Sequence, residues 1–330
     1  MNDEFYQRYR EKCINGPRLT TLRQYFNQLS AGESQVPRQP VKASEEFLSQ
    51  SIEISKYHDL LCNNAGPMQQ HFFASVPFSL EEYCRTGIAC VRLAQALAKD
   101  KTGYFTYYGM NSGDGTRART IAEYSNGLIR TFTDNPSLEN MQSFYRSYNP
   151  DYSTFYHGLF CDVTPAFLAS RPEFSLFKDG FDFIISPIVF PFYGPNRLEQ
   201  IKYLSRLLKQ DGLLICMEKL KCPQNMSEYQ RFEKIKDEEF KSRYFSDEEI
   251  AFKDRSILKE VLNTGQVSFS TISTALKHHF ENVYLIWNSA NFYDFVASRN
   301  RRIIETFIAL MPKPYVPVKF CAESNMIRRL

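Results

Sequence analysis

Through the middle of the chain, short apolar and aromatic runs alternate with stretches whose apolar positions recur every three or four residues. Strand-like runs fall at 104–110, 128–133, 155–160, 181–189 and 213–217, with helical patterns at 116–124, 137–148 and 198–208. In the last of these, Leu198, Ile201, Leu204 and Leu208 keep a helix period that closes at Lys209-Gln210-Asp211-Gly212. Strand alternating with helix predicts a mostly parallel sheet covered on both faces. The alternation then ends differently. Runs at 283–287 and 292–297 are separated only by Asn288-Ser289-Ala290-Asn291. A parallel crossover needs a dozen or more residues, so these two strands are expected to form an antiparallel hairpin. Five parallel strands and the hairpin make seven.

The flanking sequence is helical. Residues 1–30 carry two short helical patterns broken at Asn15-Gly16-Pro17, and 31–43 read as a linker. A helix over 44–62 precedes the Gly66-Pro67 break. Ser79-Leu80-Glu81-Glu82 has the spacing of a capping box and is expected to open a helix running to about Lys99. Residues 219–275 interrupt the alternation with charged, helical sequence, including a second box at Ser246-Asp247-Glu248-Glu249. Three parts follow: a helical N-terminal extension or cap (1–95), an α/β domain (96–298) carrying the helical insertion 219–275, and a C-terminal segment (299–330).

Composition changes this picture little. Of the 330 residues 43% are hydrophobic and 23% charged, enough apolar sequence for a core, which excludes a disordered or fibrous chain. The balance of +3 conceals a segregation: residues 299–330 hold seven basic and two acidic side chains, leaving the first 298 at a net −2. A basic tail alone reads as a solvated segment before it reads as an anionic-partner site. Nucleic-acid binding is disfavoured, because such binders are usually basic across a whole domain. The eight cysteines show neither CxxC pairs nor zinc spacing, so reduced thiols and no metal are expected. An acidic N-terminus without an apolar leader, and no run long enough to span a bilayer, point to a cytoplasmic protein off the membrane.

The sharpest local feature is Asn111-Ser112-Gly113-Asp114-Gly115, set between the first strand and its helix. Such a turn admits a ligand close to backbone and aims helix N-terminal amides at it. Asp134 lies 19 residues beyond Gly115 at the end of the second strand, and Asp162 closes the third. Acids at strand ends, in register with a glycine turn, suit the hydroxyls of an adenosine-type ligand. Gly113-x-Gly115-x-x-Ala118 also matches a relaxed dinucleotide fingerprint. The terminal hairpin ranks a nicotinamide oxidoreductase last, since the dinucleotide fold continues with parallel units.

From about Val91 to Ser298, outside 219–275, the chain resembles the class I S-adenosylmethionine-dependent methyltransferases. SGDGTRARTIAE (112–123), TDNPS (133–137) and CDV (161–163) look like their first three motifs. FDFIISPI (181–188), RLLKQDGLLICME (206–218) and HHFENVYLIW…FYDFVASR look like the fourth strand, the entry to the fifth and the closing hairpin. The resemblance implies a Rossmann-like α/β fold with a mostly parallel seven-stranded sheet, and S-adenosyl-L-methionine as cofactor. Asn111, Gly113, Asp114 and Gly115 would form its turn, and Asp134 with Asn135 would meet ribose and adenine. Asp162 and Val163 would flank the adenine, and Ser186 with Pro187 would lie near the methyl group. One departure is evident: Gly109 and Asn111 stand where the family has an acid and its first glycine. Asn tolerates positive φ, so the turn can survive, but the carboxylate is missing.

Methyl transfer is an in-line displacement for which positioning can suffice, with a base needed only for a poorly acidic or protonated acceptor. Candidate catalytic or acceptor contacts are His157, Tyr193 and Glu218, with His71 as a further histidine. A small-molecule acceptor under a helical lid is the leading expectation. The alternatives are a non-catalytic methyltransferase-like binding protein and a methyltransferase acting on protein or nucleic acid. A homo-oligomer is left open.

Overall fold

A single sheet organises the described residues 4–99, 103–147 and 150–330 of this computed structural model. Its strands are β1 (Phe105–Gly109), β2 (Ile129–Asn135), β3 (Ser153–His157), β4 (Phe181–Pro187), β5 (Leu208–Lys219), β6 (Asn282–Ser289), β7 (Phe292–Ser298) and β8 (Arg328–Arg329). The order is β3-β2-β1-β4-β5-β7-β6-β8. β1 to β5 pair in parallel, while β7 lies antiparallel between β5 and β6. The predicted hairpin is therefore present, with its second strand inserted next to β5. Chain order reverses between β1 and β4, which opens a crevice at the carboxyl ends of these strands.

Period-two alternation assigns neighbouring strand residues to opposite faces, and both faces are buried. Tyr107, Phe183, Ile185, Leu213 and Ile215 join one apolar core, and Tyr108, Phe132, Ile184, Leu214 and Phe295 the other. The first core is roofed by the Ser79–Leu97 and Arg301–Leu310 helices, the second by Arg197–Leu207 and Phe269–His279.

Several expectations are corrected. The sheet has eight strands among the described residues, because the C-terminal segment is folded rather than loose. Ile303, Ile304 and Phe307 sit in the first core, and β8 adds antiparallel to β6. The basic side chains there are partly neutralised, since Arg301 pairs with Glu305, Lys319 with Glu239 and Arg328 with Glu323. The helix expected over 44–62 breaks into Glu45–Leu48 and Ile52–Asn64, where Ser51 caps the second piece. The box expected at Ser79 does not form. Phe78, at φ +60°, precedes the helix, Ser79 Oγ donates to the Val76 carbonyl, and Glu82 is taken by Arg85. At Ser246 both reciprocal bonds exist. Lys209-Gln210-Asp211-Gly212 does not terminate a helix but runs within β5. The helix expected over 137–148 is Leu138–Arg146, and Tyr148 lies outside the described residues, as do residues 1–3. The part of the insertion that departs from the sheet is also shorter than expected, because Phe269–His279 packs back beside Arg197–Leu207.

Candidate functional site

At the carboxyl end of β1 the backbone turns through three left-handed residues, Asn111 (φ +47°), Gly113 (φ +60°) and Gly115 (φ +72°). Asn111 does here what its residue type allows, and Gly115 delivers the chain into the Thr116–Tyr124 helix. The turn is held from behind by the end of β2. Asp134 Oδ1 accepts from the Asn111 amide at 3.0 Å and from the Tyr108 hydroxyl at 2.7 Å. Asn135 donates to Asn111 Oδ1 at 3.0 Å and accepts from the Ser137 amide and the Asn140 side chain. Asp134 is fully buried and its Oδ2 makes no hydrogen bond among the described residues; burial pushes its carboxyl up to about 7.

In front of the turn is a cavity with about 1160 Å³ of empty space, its open mouth included. Its floor is the sheet edge: Asn111, Ser112 and Gly113 after β1, Asn135 from β2, Pro187 to Val189 around the end of β4, and Lys219 from β5. Ile188 there holds φ +56°, a strained conformation for a β-branched residue, anchored by its amide on the Met217 carbonyl at 2.9 Å. One wall comes from the N-terminal helices, including Arg18, Phe26, Met68, His71 and Phe72. The other comes from the insertion, including Lys236, Lys241, Lys253, Ile257 and Val261. Both additions thus converge on the sheet's carboxyl edge. Arg18 lies 4.3 Å over the Phe26 ring and is buried, which lowers its pKa.

The sequence candidates divide. Asn111, Gly113, Asn135 and Pro187 line the cavity. Asp114 points away, accepting from Thr116 at 2.6 Å and from Ser143 at 3.1 Å, and Gly115 lies behind it against Phe144. Ser186 and Val163 are fully buried, and the Val163 carbonyl accepts from the Tyr203 hydroxyl. Asp162 borders a separate groove, where Arg10 of the Glu4–Ile14 helix pairs with it.

None of the three catalytic candidates lines the cavity. His157 is exposed at the last position of β3. Tyr193 is buried edge-on against Phe160, and its hydroxyl has no hydrogen-bond partner among the described residues. Glu218 is fully buried and gripped by Arg197 at 2.8 and 3.1 Å, with burial raising its pKa. Glu218 is thus held as the buried partner of Arg197 and is not presented to the cavity as the expected base would be. The lysines that line the cavity went unread in the sequence. Lys236, Lys241 and Lys253 are scattered among many charges of the insertion and become a group only when it folds.

No family model matches the chain, and no curated protein matches it. Solved structures do resemble it. The plantazolicin methyltransferase BpumL in complex with SAH aligns at 10% identity and a TM-score of 0.44, covering 85% of this chain and 100% of that one. An O-methyltransferase family protein from Burkholderia thailandensis aligns at 12% identity and 0.42, covering 67% and 60%. The cyclopropane synthase MmaA2 from Mycobacterium tuberculosis aligns at 14% and 0.34, covering 56% and 58%. The fold rests on the strand order: five parallel strands reversing between β1 and β4, a glycine turn after β1, and a closing hairpin whose last strand inserts antiparallel beside β5. By that topology the chain has the Rossmann-like fold of the class I S-adenosylmethionine-dependent methyltransferases.

Proposed function

We propose that this protein is an S-adenosylmethionine-dependent methyltransferase whose small-molecule acceptor is held between the sheet edge and the two helical additions. The observation that supports it best is the position of the cavity, at the switch point of the sheet and directly in front of the glycine turn. The residues fit the methionine end of the cofactor. Gly113 has the left-handed backbone that glycine favours, and a Cβ there would come within 3.3 Å of Met68. Asn111, Ser112, Gly113, Asn135 and Pro187 would hold that end, and the bound cofactor would supply an electrophilic methyl group.

What the chain contributes is positioning and exclusion of water. Phe26, Phe72, Phe192 and Val261 give the cavity apolar walls, and the two helical parts serve as its lid. Residues 1–95 and the inserted helices are then acceptor-binding additions to the 96–298 domain.

A second reading, a non-catalytic binding protein of the same fold, is favoured by the two acids assigned to the adenosine. Asp134 faces Tyr108 and the Asn111 amide, and Asp162 is engaged by Arg10. Titration calorimetry with S-adenosylmethionine and S-adenosylhomocysteine separates the two. The methyltransferase reading expects heat from both ligands, and silence from both at millimolar concentration leaves the binding protein.

A further inference from the structure

The insertion brings an unusual charge arrangement to one end of the cavity. Four lysines line it: Lys219 from β5, and Lys236, Lys241 and Lys253 from the inserted helices. Lys219, Lys236 and Lys241 are each at most 3% exposed. Burying an ammonium is costly unless it is paired, and three of the four are. Glu233 lies 2.7 Å from Lys219 and 3.2 Å from Lys236. Asp237 lies 2.7 Å from Lys236 and 2.6 Å from Lys241, with Asp254 3.9 Å from Lys241.

Lys253 differs. Its Nζ meets only neutral groups, His71 Nε2 at 2.7 Å and Ser75 Oγ at 2.9 Å, and no carboxylate within 4.0 Å among the described residues. His71 donates from Nδ1 to the Gln35 carbonyl at 2.9 Å, which leaves Nε2 as the acceptor for Lys253. A second observation points the same way. Gln69, 8% exposed and lining the same cavity, lies near the Tyr83 phenol with its Nε2 donor otherwise without a hydrogen-bond partner among the described residues. Four lysines thus share three carboxylates at this cavity, which Gln69 and the apolar surfaces of Tyr25, Phe72 and Phe292 also line.

We propose that this end of the cavity binds the anionic group, a carboxylate or phosphate, of an acceptor whose remaining body is apolar, with Lys253 as its main counter-charge. The inference rests on the acceptor reading above but concerns a different part of the cavity from the glycine turn. Its electrostatics predict a proton linkage. Burial, together with Lys241, Lys236 and Lys219, lowers the Lys253 pKa well below its ordinary value, Asp237 opposing them. Burial and Lys236 bring Lys241 down to about 8, against Asp237 and Asp254. His71 is held neutral by burial and by Lys253. An arriving anion restores the proton to Lys253, so binding takes up a proton and weakens as pH rises.

The test uses the full chain without cofactor, so its failure stays distinct from failure of the methyltransferase reading. Calorimetry with 2-naphthoate, 2-naphthyl phosphate and the neutral 2-naphthamide, repeated in buffers of different ionisation enthalpy, reads affinity and proton uptake together. We expect either anion to bind at least tenfold more tightly than the amide, with proton uptake. The preferred anion tells carboxylate from phosphate. Lys253→Met should remove that advantage while amide binding holds; Lys253→Arg should restore part of it. Circular dichroism reports that each variant is folded. Equal affinity for amide and anions, or anion binding unchanged in folded Lys253→Met, overturns the proposal.

Discussion

Asp134 shows how one side chain can hold a turn and carry a titration. Two donors converge on its Oδ1 while Oδ2 has none, and burial moves its carboxyl from an ordinary 3.8 to about 7. A carboxyl whose pKa is raised by folding binds its proton more tightly in the native state. Its contribution to stability is therefore full below the unfolded value and is lost as pH rises from about 4 through 7. Asp134→Asn keeps the shape and removes the titration. Between about pH 5 and pH 8 the variant should gain on the order of 1–3 kcal/mol relative to the parent, at about 1.4 kcal/mol per pKa unit, read by chemical denaturation at each pH. Parallel pH profiles would contradict the assignment. Glu218 makes the opposite case, a predicted base that is a structural anchor. Glu218→Gln should cost about 3 kcal/mol of stability, as expected when one partner of a buried ion pair is removed. A variant of parental stability whose only defect is slow turnover would return Glu218 to the chemistry. Sequence placed both acids at the right strand ends. Which way each side chain turns depends on partners such as Tyr108, at the adjacent strand, and Arg197, 21 residues away.

Among the elements, the Glu4–Ile14 helix has the most direct bearing on function. Its Phe5, Tyr9 and Cys13 are buried, Tyr9 against Phe160 and Tyr203, and Arg10 reaches Asp162. If Asp162 takes the adenosine contact that the methyltransferase resemblance gives it, Arg10 has to give way. The pair is half-exposed and so worth only about 0–1 kcal/mol. Arg10→Ala should accordingly leave the fold intact and tighten S-adenosylhomocysteine binding by up to roughly fivefold in calorimetry, whereas weaker binding would make Arg10 itself a ligand contact. Helix and strand existence was largely legible, because periods of two and 3.6 are local. Capping was only half legible. Ser246-x-x-Glu249 closes its box, whereas at the identically spaced Ser79 the buried Arg85 claims Glu82 and overrides the local preference.

On the scale of the whole molecule, the additions complete the fold as well as the site. The C-terminal segment reads as basic and solvated, yet Ile303, Ile304 and Phe307 close the first core. The spacing of three apolar positions in one short helix is visible in the sequence, but the charge around it hides the role. Burying each such side chain contributes about 1.5–3 kcal/mol, so truncation before Arg299 should give a chain that melts without cooperativity. Truncation after Cys321, which removes β8 and little of the core, should keep a cooperative transition. Two cooperative transitions of equal midpoint would mean that the segment does not complete the core.

On the proposed function, cofactor and acceptor meet in the cavity before the Asn111–Gly113 turn. A crystal structure with S-adenosylhomocysteine bound at saturation tests it most directly. The ligand's amino-acid end is expected against Asn111, Gly113 and Asn135, with its sulfur facing the cavity beside Pro187. A ligand bound elsewhere, or a cavity that stays empty at saturating ligand, would contradict it.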